Sequence, residues 1–211
     1  QGIHQHEKGS FAEQLTQLDN WLTLTENQGE ESLRATPIPP RRADGFLLGA
    51  SVDSARLAAS LDWNFVFAAH LNGDKNLLQE VLTNWRELSR REVIVAVQVI
   101  VAQDAASAAD LAKQVEVWGV ELANGQRVTV GSESQAAAFA RQAGSPPTRI
   151  ERRESSLLFG TAEEVKAQLD ALQAQWGIDE FIIDTPIAEG RARLASLGLL
   201  AQAHLGAEVT P

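Results

Sequence analysis

The chain has 211 residues, 44% of them hydrophobic and 22% charged, with a formal net charge of −10. That length suits one domain with a sizeable core, and an acidic surface with scattered basic residues argues against a nucleic-acid partner. With no cysteine there is no disulfide, thiolate metal site or thiol nucleophile, and no apolar run approaches the roughly 18 residues of a membrane span.

The start, Gln1-Gly2-Ile3-His4, lacks the basic-then-apolar order of a secretory signal. A cysteine-free acidic chain suits the bacterial cytoplasm. The chain also has no methionine, so not even an initiator. With a start that resembles mid-domain sequence, this sets the expectation that an N-terminal portion is missing.

From Ser10 to Glu26 apolar residues recur at helical spacing, at Phe11, Leu15, Leu18, Trp21 and Leu22. Ser10 with Glu13 three residues on forms a capping box. Asn27 to Asp44, with Pro37, Pro39 and Pro40, reads as a loop. Phe46-Leu47-Leu48-Gly49 is a short buried strand. Ser51-Val52-Asp53-Ser54 opens a helix through about Leu61, with Leu57, Ala58 and Leu61 inward. A second strand, Asn64 to His70, turns through Asn72-Gly73-Asp74 into a helix from Lys75 to Arg90. Leu78, Val81, Leu82 and Trp85 form the stripe of that helix. Val93 to Ala102 is a β-branched run broken only by Gln98, as in parallel strands covered on both faces. Asp104 starts a helix through about Val115. Alternation of this kind is the pattern of a parallel α/β sheet or barrel.

Val117 to Val130 holds Asn124-Gly125, a hairpin turn signal. A short helix over Ser134 to Gln142 and an extended charged stretch from Thr148 to Glu154 complete a segment, 117–154, read as an insertion in a single domain spanning 1–211. Thr161-Ala162-Glu163-Glu164 is a second capping box, starting a helix that ends at Gly177 with Val165, Leu169 and Leu172 inward. Phe181 to Asp184 reads as a buried strand. Arg191 to His204 is a last helix with Leu194, Leu197, Leu200 and Ala201 inward. The count is four strands, each followed by a helix: half of an eight-fold barrel, or a small open α/β sheet.

Gly49, Ala50, Ser51 and Ser54 are the candidate anion site. A helix N-terminus presents unpaired N–H groups and a positive dipole end, and the two hydroxyls can donate to phosphate oxygens. The competing reading is a plain helix cap; Asp53 would repel a phosphate and is expected to face solvent. His70 and Asp184 lie at strand C-termini, where barrels place their chemistry. His70 could act as acid or base or be a structural histidine. Asp184 could instead cap the last helix or pair with an arginine, and a buried Gln98 needs partners. His4 and His6 form no metal site, and no His/Asp/Glu cluster has ligand spacing.

The stretch from Phe46 to Ala59 resembles the fifth-strand segment of luciferase-like flavin-dependent monooxygenases. Phe65 to His70 looks like the family's next strand, and Val95-Ala96-Val97-Gln98-Val99 like its seventh. Gly160 to Val165 and Asp179 to Ile187 are similar to its last helix–strand unit. The resemblance runs in order along essentially the whole chain. It implies a (β/α)₈ (TIM) barrel of the bacterial-luciferase type, of which this chain carries the last four βα units. It further implies reduced FMN as cofactor, its phosphate held by Ser51 and Ser54, with a deazaflavin as the less favoured alternative. O₂ and a small organic substrate are implied, with a separate flavin reductase as partner; exposed first and last strands would favour a homodimer that completes a barrel. The alternative is a non-catalytic half-barrel that binds flavin or only dimerises. A third possibility is an unrelated small α/β binding module.

Overall fold

The computed structural model describes residues 9–23, 40–70, 74–153 and 155–206. His4, His6, the expected turn at Asn72-Gly73 and residues 27–39 of the expected loop lie outside the described residues.

Helix α1 (Phe11–Thr23) starts at the expected reciprocal cap. The Ser10 N–H donates to Glu13 Oε2 at 2.7 Å, and the Glu13 N–H to Ser10 Oγ at 3.3 Å. Of its apolar stripe only Leu15 is buried, while Phe11 and Leu18 stay exposed. Strand and helix then alternate through β1 (Phe46–Gly49), α2 (Val52–Ser60), β2 (Asn64–Ala68), α3 (Lys75–Leu88), β3 (Ile94–Val101) and α4 (Ala105–Ala112). Later come β7 (Leu158–Gly160), α6 (Ala162–Trp176), β8 (Glu180–Asp184) and α7 (Gly190–Leu205).

All the strands of this sheet pair in parallel, in the order β1-β2-β3, with β8 on β3. Helical crossovers between neighbouring parallel strands impose this arrangement. Strand β3 pairs twice: Ile94–Gln98 with β8, and Val99–Val101 with β7. The four expected strands are present, and β7 is an addition. Its three residues are too few to show a period.

Alternation along each strand divides the sheet into two faces. Phe65, Phe67, Val95 and Val97 pack with Val81, Leu82 and Trp85 of α3 and Val165 of α6 in the main core. The Phe65 and Trp85 rings lie 5.6 Å apart, tilted by 45°. The opposite face holds a smaller cluster of Val66, Ile94 and Ala96. Towards both sheet edges that face is open: Phe46 is 54% exposed, Leu48 52% and Ile182 42%. Strand β8 is therefore half-buried in alternation, not fully buried as its apolar run suggests.

Helix α7 departs further from the sequence reading. Leu194 is 72% exposed, and Leu197 and Ala201 also face outward. The buried residue is Ser196, 1% exposed, whose hydroxyl accepts the Val101 N–H at 2.8 Å. Apolar residues surround nearly the whole helix, so periodicity alone does not select its inner side.

Between α4 and β7 the chain forms an antiparallel unit. It contains β4 (Val117–Leu122), β5 (Arg127–Val130), α5 (Glu133–Gln142) and β6 (Pro147–Arg153), in sheet order β5-β4-β6. The β4–β5 hairpin turns at Asn124-Gly125, where Gly125 has φ +84° and Asn124 Oδ1 accepts the Gln126 N–H at 3.0 Å. Val120 and Leu122 pack on Ala136 and Ala140 of α5 as a separate core. Among the described residues, no helix is long and apolar enough to cross a membrane.

Candidate functional site

Because β1, β2, β3 and β8 run parallel, their C-terminal ends share one edge, and every proposed site residue lies along it. Gly49 ends β1. A Cβ there would stand 2.6 Å from Ser54 Cβ and 2.7 Å from its hydroxyl, so the space glycine leaves is filled by Ser54. Ser51 caps α2: its hydroxyl accepts the Ser54 N–H at 3.2 Å and lies 2.9 Å from Ser54 Oγ. The cap seen as a competing reading is thus present. It does not use the whole helix end, because the first-turn N–H groups of Val52 and Asp53 have no intrahelical acceptor. The Asp53 side chain is 94% exposed and pairs with Arg56 at 3.7 Å, facing solvent as expected. Its charge is kept off the turn.

His70 sits in the turn just past β2, half-buried, with Nδ1 3.5 Å from the Ala96 carbonyl. It lines a cavity of about 290 Å³ together with Gln98, Pro186, Gln114–Val117 and Thr129–Gly131. The floor is the sheet edge, and the far wall belongs to the antiparallel unit. Glu116 on that wall accepts the Trp118 indole N–H at 2.9 Å and pairs with Arg152 at 3.6 Å.

Asp184, exposed at the end of β8, is not on the cavity wall. Its Oδ2 accepts from Gln98 Nε2 at 2.9 Å, across directly paired positions of β3 and β8. Asp184 does not cap the last helix. Glu189 does, accepting from the N–H groups of Arg191 at 3.0 Å and Ala192 at 2.6 Å. Those two bonds, the Arg191 one first, hold the Glu189 carboxyl below its ordinary range. The Thr185 hydroxyl is buried without a hydrogen-bond partner among the described residues.

The structure therefore brings His70 and Gln98 into one cavity and sets Asp184 behind Gln98. The Ser51–Ser54 turn stands on the same sheet edge but outside the cavity lining. Sequence reasoning missed Gln114, Glu116 and Thr129, which reach the cavity only because the antiparallel unit folds over the edge. The hairpin signal marked the unit but not where it docks. Among the described residues, no His/Asp/Glu group is placed to hold a metal ion.

Compared with models of known protein families, the chain matches none. It is 31% identical over 204 residues to N-acetyl-S-alkylcysteine monooxygenase of Bacillus subtilis (strain 168), covering 94% of this chain and 61% of that protein. Its fold is similar to that of apo-MsnO8, with a TM-score of 0.64 at 21% identity over 97% of this chain and 62% of that one. These relatives point to the luciferase-like monooxygenase family. A further likeness in fold is to EDTA monooxygenase (EmoA) from Chelativorans sp. BNC1, with a TM-score of 0.50 at 15% identity. It covers 87% of this chain and 50% of that one. This chain spans about three-fifths of the length of the curated family relative it matches.

Proposed function

We propose that this chain is the C-terminal part of a luciferase-like (β/α)₈ barrel that uses reduced FMN and O₂ to oxidise a small organic substrate. Residues 117–154 would be an insertion walling the site. The net reaction places one oxygen atom in the substrate and releases the other as water, with two electrons and two protons from the reduced flavin. The observation that supports the reading is that the turn after β1, which begins α2, and the His70 turn after β2 lie at the same end of two paired parallel strands.

The residues present fit the cofactor. Unpaired N–H groups and a positive dipole end suit a phosphate, the Ser51 and Ser54 hydroxyls add donors, and Asp53 points away. Reduced FMN, when bound, supplies the electrons that activate O₂. The protein holds the phosphate at α2, excludes water from the cavity with Val115, Val117, Val130 and Pro186, and offers the His70 imidazole for proton transfer. A reductase supplying the flavin, a homodimeric assembly and a cytoplasmic setting complete the proposal.

The open apolar positions at the two sheet edges, Phe46 and Leu48 on β1 and Ile182 on β8, support burial against further barrel strands. It equally favours a second reading, in which the chain alone binds flavin or pairs with another copy without catalysis.

Titration with oxidised FMN and with riboflavin, read by quenching of flavin fluorescence, tests the phosphate site. FMN should bind more tightly than riboflavin. Ser51→Ala with Ser54→Ala should weaken FMN about tenfold, the scale of lost hydrogen bonds to a charged group, and leave riboflavin unchanged. Equal binding of the two flavins would remove the phosphate from the proposal.

A further inference from the structure

We infer that Asp184 is a positioning residue: it fixes the Gln98 amide so that Gln98 Oε1 is presented to the His70 cavity as an acceptor for an N–H or O–H group of the substrate. The inference deepens the function proposed above and rests on its choice of this cavity as the site.

The argument begins with the strand. Gln98 is the one polar residue of β3, and it is half-buried on the face that carries Ile94 and Ala96. A polar side chain there is costly unless its groups are paired. Its amide has two ends of opposite character, and the neighbours decide which way each points. Asp184 stands in direct register with it across β3 and β8. An ionised carboxylate accepts hydrogen bonds and donates none, so only the nitrogen end of the amide can face it. The 2.9 Å bond from Gln98 Nε2 to Asp184 Oδ2 satisfies that condition.

With Nε2 committed, the carbonyl end is left for the cavity that Gln98 lines. Among the described residues, Oε1 receives no hydrogen bond. The cavity wall carries Val115, Val117, Val130 and Pro186 together with His70, Gln114, Glu116 and Thr129. A directed acceptor in such surroundings discriminates strongly, because a ligand lacking the matching donor leaves the amide unpaired. The chemical class selected is a small molecule that presents an N–H or O–H to Gln98.

Two amides of near-equal size probe this directly: N-methylacetamide, which has an N–H, and N,N-dimethylacetamide, which has none. Each is titrated into the ¹⁵N-labelled chain. The Gln98 side-chain amide and the backbone amides of Val115, Val117 and Val130 report binding by NMR. N-methylacetamide should bind about two- to tenfold more tightly, the range of one net hydrogen bond. That preference should vanish in Gln98→Ala and in Asp184→Ala. It should be reduced but not lost in Asp184→Asn, whose amide can accept from Nε2 or donate to Oε1 and so no longer fixes one orientation. Gln98→Leu, which keeps the bulk of the side chain, serves if the alanine variant does not fold.

Persistence of the preference in Asp184→Ala or in both Gln98 variants would overturn the inference. Equal binding of the two amides by the unaltered chain, or no response to either, would also overturn it. Failure to bind FMN while the amide preference stands would refute the flavin reading alone.

Discussion

Ser196 and Leu194 offer a direct contest between the stability order that the structure implies and the one that apolar patterning implies. In the structure Ser196 is 1% exposed and its hydroxyl accepts the Val101 N–H at 2.8 Å. Val101 is itself 2% exposed, so no water is at hand to replace the lost partner. Ser196→Ala should therefore cost about 1–3 kcal/mol, the desolvation penalty of an orphaned buried donor. The missing oxygen atom leaves a void too small to add much. For a chain of this length, about 2 kcal/mol lowers the melting temperature by roughly 4–8 °C. Leu194, 72% exposed, should lose less than about 0.5 kcal/mol on Leu194→Ala. Urea unfolding followed by tryptophan fluorescence measures both. A Ser196→Ala cost below about 0.5 kcal/mol, or a larger cost for Leu194→Ala, would refute the assignment of the inner side of α7.

Gly45 should be intolerant of any side chain, because a Cβ there would stand 2.1 Å from Cδ2 of Trp63. That ring is 5% exposed and tied through its N–H to Asp19 at 2.6 Å. Gly45→Ala is expected to cost about 3 kcal/mol, seen as a lower urea midpoint. Glu189→Gln should lower the melting temperature at pH 7, because the carboxylate caps α7. The folded-state pKa of Glu189 is depressed, so its stabilisation is present above the unfolded value and lost as pH falls through the folded one. The gap between Glu189→Gln and the unaltered chain should therefore close as the medium is acidified below the ordinary glutamate range. A gap that is unchanged in acid would remove the charged cap.

The parallel strands were legible because Phe46–Gly49, Asn64–Ala68 and Ile94–Val101 are short apolar runs separated by helix-length amphipathic segments. The helix starts at Ser10, Asp104 and Thr161 were legible because capping needs particular side chains at fixed offsets. Helix α3 presents the expected Leu78, Val81, Leu82 and Trp85 to the core since its opposite side is charged. Helix α7 lacks that contrast, so its inner side was set by a hydroxyl finding a strand N–H 95 residues away. The open face of β8 was illegible for a related reason. Composition marks Ile182 and Ile183 alike, while their exposure depends on what stands across the sheet.

The same limit explains what could be read of the site. His70 and Asp184 were picked from their places at strand ends, which is a matter of local order. The bond between Gln98 and Asp184 joins positions 86 residues apart and exists only once β3 and β8 come into register. Register also confines the polarity. On β2 and β3 the face opposite the main core is apolar where Val66 meets Ile94 and where Ala68 meets Ala96. It turns polar one layer further, where Gln98 meets Asp184. On β3 a two-residue step, from Ala96 to Gln98, thus separates packing from polarity. Moving the amide down to the level of Ala96, which is 4% exposed, would bury it away from the cavity. At its actual level Gln98 lines the cavity and keeps its carbonyl end available to a ligand.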